Sequence, residues 1–447
     1  MNLPGIASLE DAEANSPVFD ISQPRSMVET GLSEPLLTDL LCKHLYDAGS
    51  LDTGRLMSRM GLAGPVLEEL LGLLRKDSQV EVLGQAAGGG GLRYGLTERG
   101  RASARDALAR SGYIGPAPYP VERYRELLKA QTVHHGSITA GQMHQAFRGV
   151  VFHNGLLDQL GAALNSGRAI MIYGPAGTGK TYISSKLIRL FDENIWVPHA
   201  IAINEAIIEI FDPQVHRLAA TDSAGLPSLR LDQGSDRRLL RCKRPILITG
   251  GELSMDQLDI RYDPIARQYQ APLQLKAGNG LFIIDDLGRQ AMPPAQLLNR
   301  WIVPMEERKD YLNLGGGRHC ELPFDVILVF STNLNPLQLA DEAFLRRIGY
   351  KLHFDHLTRE EYAQIWRQEV EKLGLPYDPL LLRYVIEGLH QPEKVPLLPC
   401  HPRDLLGMAL DRQRYLGKSA QLTPDELQWA WQNYFVRLQD TEQGEPS

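Results

Sequence analysis

The chain has 447 residues, a formal net charge of −7, 43% hydrophobic and 23% charged residues, a balance that suits several ordinary globular domains and gives no overall pull toward nucleic acid or an anionic membrane. No apolar run approaches the roughly 18 residues that span a bilayer, and MNLPGIASLEDAEANSP has no basic stretch leading into an apolar one. Cys42, Cys242, Cys320 and Cys400 form no CxxC pair, so a cytoplasmic protein with no membrane insertion and no disulfide framework is expected. His319-Cys320 and Cys400-His401 lack the close ligand spacing of a zinc site and read as buried or incidental side chains.

In chain order, residues 1–32 are polar, acidic and broken by Pro and Gly, and read as a flexible tail. In residues 33–112, helical apolar spacing covers Pro35 to Tyr46, Thr53 to Met60 and Pro65 to Lys76. Gln79 to Leu83 and Leu92 to Leu96 read as strands joined by a turn at Gly88 to Gly91, and Thr97 caps a last helix. Three helices and a hairpin in this order resemble winged-helix domains of the MarR-like kind. Such modules bind DNA or dock protein. Ten acidic and ten basic residues between 33 and 112, with Glu68 and Glu69 near the start of the third helix, favour protein contact, and DNA stays open as the alternative.

Residues 113–140 read as a Pro-rich linker with one short amphipathic helix, and His134-His135 as solvated side chains within it. From 141 to 355 apolar strands alternate with helices, which predicts a parallel α/β core. Residues 356–437 read as a lid of four helices, with capping boxes at Thr358/Glu361 and Thr423/Glu426, and 438–447 as a second tail.

The chemistry starts at an apolar strand, Ala169 to Tyr173. It leads into Gly174-Pro175-Ala176-Gly177-Thr178-Gly179-Lys180-Thr181, a full GxxxxGK[ST] match, and then into a helix. Backbone N–H groups of such a loop cradle phosphates. Lys180 is expected on the β- and γ-phosphates of ATP, the Thr181 hydroxyl on Mg²⁺, and Tyr182 beside the bound nucleotide. Gly280 to Ile284 is a second buried strand, ending in Asp285 and Asp286 at the edge where α/β sheets bind ligands. Asp285 is expected to hold Mg²⁺ and Asp286 to polarise the attacking water.

Residues 141–437 resemble the AAA+ ATPase superfamily. The strand Val326 to Phe330 followed by Ser331-Thr332-Asn333 is similar to its sensor 1, which makes Asn333 the residue that orients the lytic water. Asp341 to Ile348 is similar to the arginine-finger segment, with Arg347 or Arg346 reaching a neighbouring subunit's site. His401 to Leu405 is similar to sensor 2 and makes Arg403 a further phosphate cation. The resemblance thus implies an α/β P-loop NTPase core with a helical lid, ATP and Mg²⁺ as cofactors, and a homo-oligomer, a hexameric ring being the implied form. Asn204, ending a strand from Ile195 to Ile203, is a candidate for coupling partner binding to Asp286.

Trp301 to Leu322 reads as a helix end and a hairpin around Gly315-Gly316-Gly317, similar to the pre-sensor 1 hairpin of MoxR-, McrB- and RuvB-type relatives. Phe211 to Gly280 is long for its place and reads as an inserted hairpin or loops (ILITGGEL, then RYDPIARQYQAPLQLKAG), with Tyr262 or Tyr269 candidates for gripping a substrate in a ring pore. Where the superfamily usually has Glu after the acidic strand's Asp, this chain has Asp286. The run IIDDLG is similar to helicase-loader and transposition-helper ATPases of the DnaC and IstB type. The leading expectation is an ATPase that remodels a protein client or adaptor recruited by the winged helix. The alternative is a DNA-associated loader, helper or transcription-linked switch.

Overall fold

The computed structural model describes residues 19–85, 91–134, 138–153, 155–191, 193–219, 234–314, 318–419 and 421–435. The turn expected at Gly88–Gly90, the hairpin tip Gly315–Gly317, His135 and both outermost tails lie outside these residues. Two compact units form. The first takes the described residues of Met1–Gly136, Phe191–Ile284 and Arg289–Val329, and the second those of Ser137–Leu190, Asp285–Gly288 and Phe330–Ser447. The stretch 141–355, read as one core, therefore contributes to both.

In the first unit, helices Glu34–Ala48, Thr53–Met60 and Gly64–Lys76 bury one leucine-rich face each, including Leu37, Leu41, Leu56, Leu67 and Leu70. An antiparallel sheet completes this part in the order Ser50–Asp52, Leu92–Leu96, Val80–Gln85. The Thr97 side chain accepts from the Gly100 N–H and starts the helix Glu98–Arg110.

Several expectations change here. Residues 19–32, read as loose tail, pack down: Thr30 is fully buried, and the Asp236 N–H donates to the Ile21 carbonyl at 2.7 Å. The linker is also integral, because its Tyr119, Tyr124, Leu127 and Leu128 are apolar enough to be buried. Tyr119–Pro120 pairs with Ala200–Ile203. His134 is not solvated; its Nε2 lies 3.2 Å from the carboxylate of Asp325.

The run Ile195–Ile203 is two strands. Asn194–Pro198 pairs with Leu239–Lys243, and Ala200–Ile203 turns into Ala206–Glu209, with Asn204 in the tight turn at φ 54°. Nor is ILITGGEL an inserted loop. Ile246–Thr249 is a strand parallel to Gly280–Ile284, its register running Ile246↔Leu281 to Thr249↔Ile284. Tyr262 and Tyr269 face each other across the hairpin Arg261–Asp263/Gln268–Gln270, rings 4.9 Å apart. Lys309–Asn313 and His319–Pro323 form the expected hairpin.

In the second unit the strand Ile170–Tyr173 runs parallel to Tyr350–His353. The helices Leu156–Ser166 and Lys180–Lys186 flank the Gly-rich loop in sequence. The C-terminal helices Arg359–Lys372, Pro379–Arg383, Cys400–Tyr415 and Pro424–Tyr434 enclose a core of Tyr362, Trp366, Leu405, Leu406 and Trp431. Thr358 and Glu361 make a reciprocal capping box. Thr423 accepts from Glu426 N–H, but the Glu426 carboxylate turns to Arg412 at 3.1 Å instead of back to the cap. The fold class is thus an α/β core on a parallel sheet with a helical C-terminal region. Among the described residues no helix is long and apolar enough to cross a membrane.

Candidate functional site

The strand Ile170–Tyr173 has only apolar, buried positions up to Tyr173, so the chain that leaves it must turn at its end. Gly174 has φ 144°, and a Cβ there would come within 2.0 Å of the Phe354 carbonyl; no other residue fits so close to the neighbouring strand. The loop curls over Lys180, whose ammonium donates to the carbonyls of Gly174 (2.8 Å) and Pro175 (2.7 Å) and lies 3.4 Å from Thr178 Oγ1. Burial pulls the pKa of Lys180 below its ordinary value, opposed by the charges of Asp285 and Asp286. A buried ammonium whose hydrogen bonds go only to neutral oxygens attracts an anion.

The two acids stand beside this loop in different conformations. Asp285 accepts the Thr181 hydroxyl proton at 2.6 Å, and its other oxygen accepts from the Asp286 N–H at 2.9 Å. Asp286 sits at φ 49°, a left-handed conformation that Asp tolerates better than most residues, and Asn333 Nδ2 donates to its Oδ1 at 3.1 Å. The turn after them is fixed by Leu287 N–H on the Ser331 carbonyl and Thr332 Oγ1 on the Leu287 carbonyl, both 2.8 Å. Gly288, at φ 103°, closes it where a Cβ would strike Leu334 at 2.8 Å and Leu339 at 3.0 Å.

These groups line a cavity of about 520 Å³, a size that suits a nucleotide-sized ligand. Ala176, Gly177, Thr178, Gly179, Lys180, Thr181 and Tyr182 form one wall, with Asp285, Asp286, Asn333 and Arg403 facing in. Gly174 and Pro175 lie behind the wall and hold Lys180. Tyr182 is half-exposed with the Lys186 ammonium over its ring at 5.0 Å. Arg403, near the start of Cys400–Tyr415, is mostly exposed and paired with Asp404 at 2.8 Å. Arg346 and Arg347 are not among the lining residues. They end the helix Glu342–Arg347, where Arg346 pairs with Glu342 and Arg347 Nη1 donates to the Ala343 carbonyl. Phe344 anchors that helix edge-on against Phe330.

Mg²⁺ prefers oxygen ligands and keeps waters and phosphate oxygens in its shell, so it needs few protein groups. The adjacent Thr181 hydroxyl and Asp285 carboxylate fit that requirement.

The sequence reading missed the other half of the cavity. Gly149 to His153 and Leu156 line it before the Gly-rich loop, and Leu357, Ile365, Gln368, Glu369 and Lys372 line it from the C-terminal region, with Pro399 and Cys400. Val150, Val151 and Phe152 form an apolar run outside any regular element, which was the available signal. Gln368, Glu369 and Lys372 could have been found only by their shared helical face.

Comparison with known proteins adds little detail. Residues 358–433 match a family described as a domain of unknown function, DUF8689. No curated protein matches the chain. Among solved structures the chain is similar to a RuvB mutant from Thermotoga maritima, at 12% identity over 63% of this chain and 69% of that one, TM-score 0.37. It is also similar to NtrX from Brucella abortus, at 14% over 76% and 68%, TM-score 0.40. A third likeness is to a chain of the complex between the magnesium chelatase subunits BchI and BchD, at 15% over 66% and 97%, TM-score 0.33.

Proposed function

We propose that this chain is a Mg²⁺-dependent ATPase of the AAA+ kind that works as a homo-oligomer, a hexameric ring being the form the resemblance implies. The observation that carries the reading is the joining of two bonded pairs in one cavity: Thr181 with Asp285, and Asn333 with Asp286. Lys180 and the loop N–H groups would bind the phosphates. Thr181 and Asp285 would hold Mg²⁺, which supplies charge neutralisation on the phosphate oxygens. Asp286, aimed by Asn333, would orient and polarise the attacking water, and Arg403 would add positive charge from the lid. Phosphoryl transfer is largely a matter of such positioning and charge.

Arg346 and Arg347 fit the finger role in a neighbouring copy, because they are set away from the lining of their own chain's cavity. ATPase rate against protein concentration tests this, with Lys180→Ala and Arg347→Ala alongside. Specific activity that rises with concentration and is lost in both variants supports a shared site. Flat activity indifferent to Arg347→Ala removes the finger and the ring together.

For the client, the winged-helix-like module fits protein better than DNA. Glu68 and Glu69 are exposed on the third helix, and the Met27 N–H donates to Glu69 at 3.3 Å. The hairpin exposes Val82, Leu83 and Leu92, an apolar set where a DNA wing would carry cations. Retention of a protein partner by Asp286→Asn with ATP tests this, and binding of duplex DNA with a steep salt dependence would favour the loader reading instead.

A further inference from the structure

His153 ends the segment Gly149–His153 that walls the cavity, and its ring meets the C-terminal helical region. Nδ1 is 2.8 Å from Glu361 Oε1, and Nε2 is 2.8 Å from the His356 carbonyl oxygen. A carbonyl oxygen only accepts, and so does an ionised carboxylate. Both contacts are hydrogen bonds at once only when both ring nitrogens carry protons. The other Glu361 oxygen accepts the Thr358 N–H at 2.8 Å, so one carboxylate both starts the helix Arg359–Lys372 and holds His153. That helix lines the cavity with Ile365, Gln368, Glu369 and Lys372.

Both ends of the link are anchored. Phe152 packs edge-on against Phe147 with ring centroids 5.3 Å apart. The Leu357 N–H donates to the Leu397 carbonyl at 2.9 Å, and a Cβ on Gly177 of the phosphate loop would sit 3.1 Å from the neighbouring Leu398. Asp355, His356 and His353 are further titratable groups clustered with His153 among the described residues. The His356 N–H, first, holds the Asp355 carboxyl below its ordinary pKa; burial opposes, and the charges of His353, His356 and His153 reinforce the lowering.

We propose that His153 is a positioning residue, a protonated clip that ties the segment beside the bound nucleotide to the first turn of the lid and so raises nucleotide affinity. This rests on the nucleotide reading above. When the ring loses a proton, one of its nitrogens becomes an acceptor facing an acceptor and that bond is lost. Affinity is therefore full where the imidazole is charged and lower where it is neutral. Glu361→Gln reverses this logic. Its amide N–H can donate to an unprotonated Nδ1 while its oxygen keeps the Thr358 cap, so the neutral ring then makes both bonds.

The test is binding of Mg²⁺ with a non-hydrolysable ATP analogue to the full chain at about pH 5 and about pH 8.5. Wild-type affinity is expected to fall roughly tenfold between them, the scale of one hydrogen bond to a charged group. His153→Ala is expected to bind weakly at both, and Glu361→Gln to hold its affinity within about twofold. Glu361→Gln keeps the cap and so carries the test if His153→Ala does not fold. A flat wild-type profile, or a slope that survives in either variant, overturns the clip and leaves the nucleotide site intact. No wild-type binding at either pH overturns both.

Discussion

The Thr181 hydroxyl donates to Asp285 Oδ2 at 2.6 Å, although 104 residues separate the two in sequence. A hydroxyl whose proton points at a carboxylate presents its lone pairs elsewhere, which is the arrangement a hard cation needs from a neutral ligand beside an anionic one. Thr181→Ala removes the neutral ligand and leaves the loop glycines and Lys180 in place. The expected outcome is a loss of Mg²⁺-dependent nucleotide affinity of at least about tenfold, with affinity in the presence of a chelator unchanged. Thr181→Ser, which keeps the hydroxyl, is expected to stay near wild type. Equal losses with and without Mg²⁺ would mean that Thr181 serves the loop rather than the ion.

Asp286 separates binding from chemistry. It contacts Asn333, while in the proposed reading Lys180 and Thr181, which line the same cavity, would make its phosphate and metal side. Asp286→Asn keeps the shape and tolerates φ 49°, but gives up the charge that polarises water. Hydrolysis is expected to fall by roughly a hundredfold or more, with nucleotide affinity within a few-fold of wild type. Asn333→Ala is expected to lose less, because the carboxylate stays. Asp286→Val adds a backbone cost of about 1–3 kcal/mol, since a β-branched residue resists that conformation; a lowered melting temperature for Val but not Asn checks it.

The strand–loop–helix around Gly174–Thr181, the strand that leads into Asp285 and the strand that leads into Asn333 were all legible as elements, because each couples an apolar run of fixed length to a distinctive sequence at its end. What escaped was sequence whose role depends on long-range pairing. Ile195–Ile203 reads as one strand because apolar residues resume directly after Pro198-His199; the proline that ends Asn194–Pro198 was the one signal of the break between two sheets. Ile246–Thr249 hides because one residue, Ile248, is exposed and GGEL follows, so a sheet strand looks like loop. His134 looked solvated because its partner, Asp325, is far away in the chain. The cavity wall Gly149–His153 is irregular backbone, which leaves no period to read.

The finger assignment is testable by complementation. Lys180→Ala keeps Arg346 and Arg347 but cannot hold phosphate; the double variant Arg346→Ala/Arg347→Ala keeps the cavity but has no finger. If the arginines act across a subunit boundary, each variant alone is nearly inactive, with the arginine variant down by roughly a thousandfold. A mixture then recovers activity, because intact cavities meet intact arginines at mixed interfaces. A mixture no more active than its parts, with subunit exchange shown by labelled chains, would place the arginines in some other role. Single variants then decide between the two positions; Arg347 is the one next to buried Ile348.

The lid carries a pH liability of its own. His401 is buried among Tyr434, Phe435 and His390, and its Nδ1 has no hydrogen-bond partner among the described residues. Burial, and then the nearby His390, push its pKa down to about 4, against about 6.5 in an unfolded chain. A depressed histidine pKa means that the unfolded chain takes up a proton that the folded one refuses. The stability from this group is therefore complete above about pH 6.5, is lost as pH falls from there toward 4, and changes no further below that. At pH 5 the cost is about 2 kcal/mol, and His390, also lowered by burial, acts in the same direction. Thermal melting at pH 7.5 and pH 5 is expected to show a drop for the wild type that shrinks in His401→Phe, whose ring fills the same aromatic site without titrating. A drop of equal size in both would assign the acid sensitivity to other groups and leave His401 as packing alone.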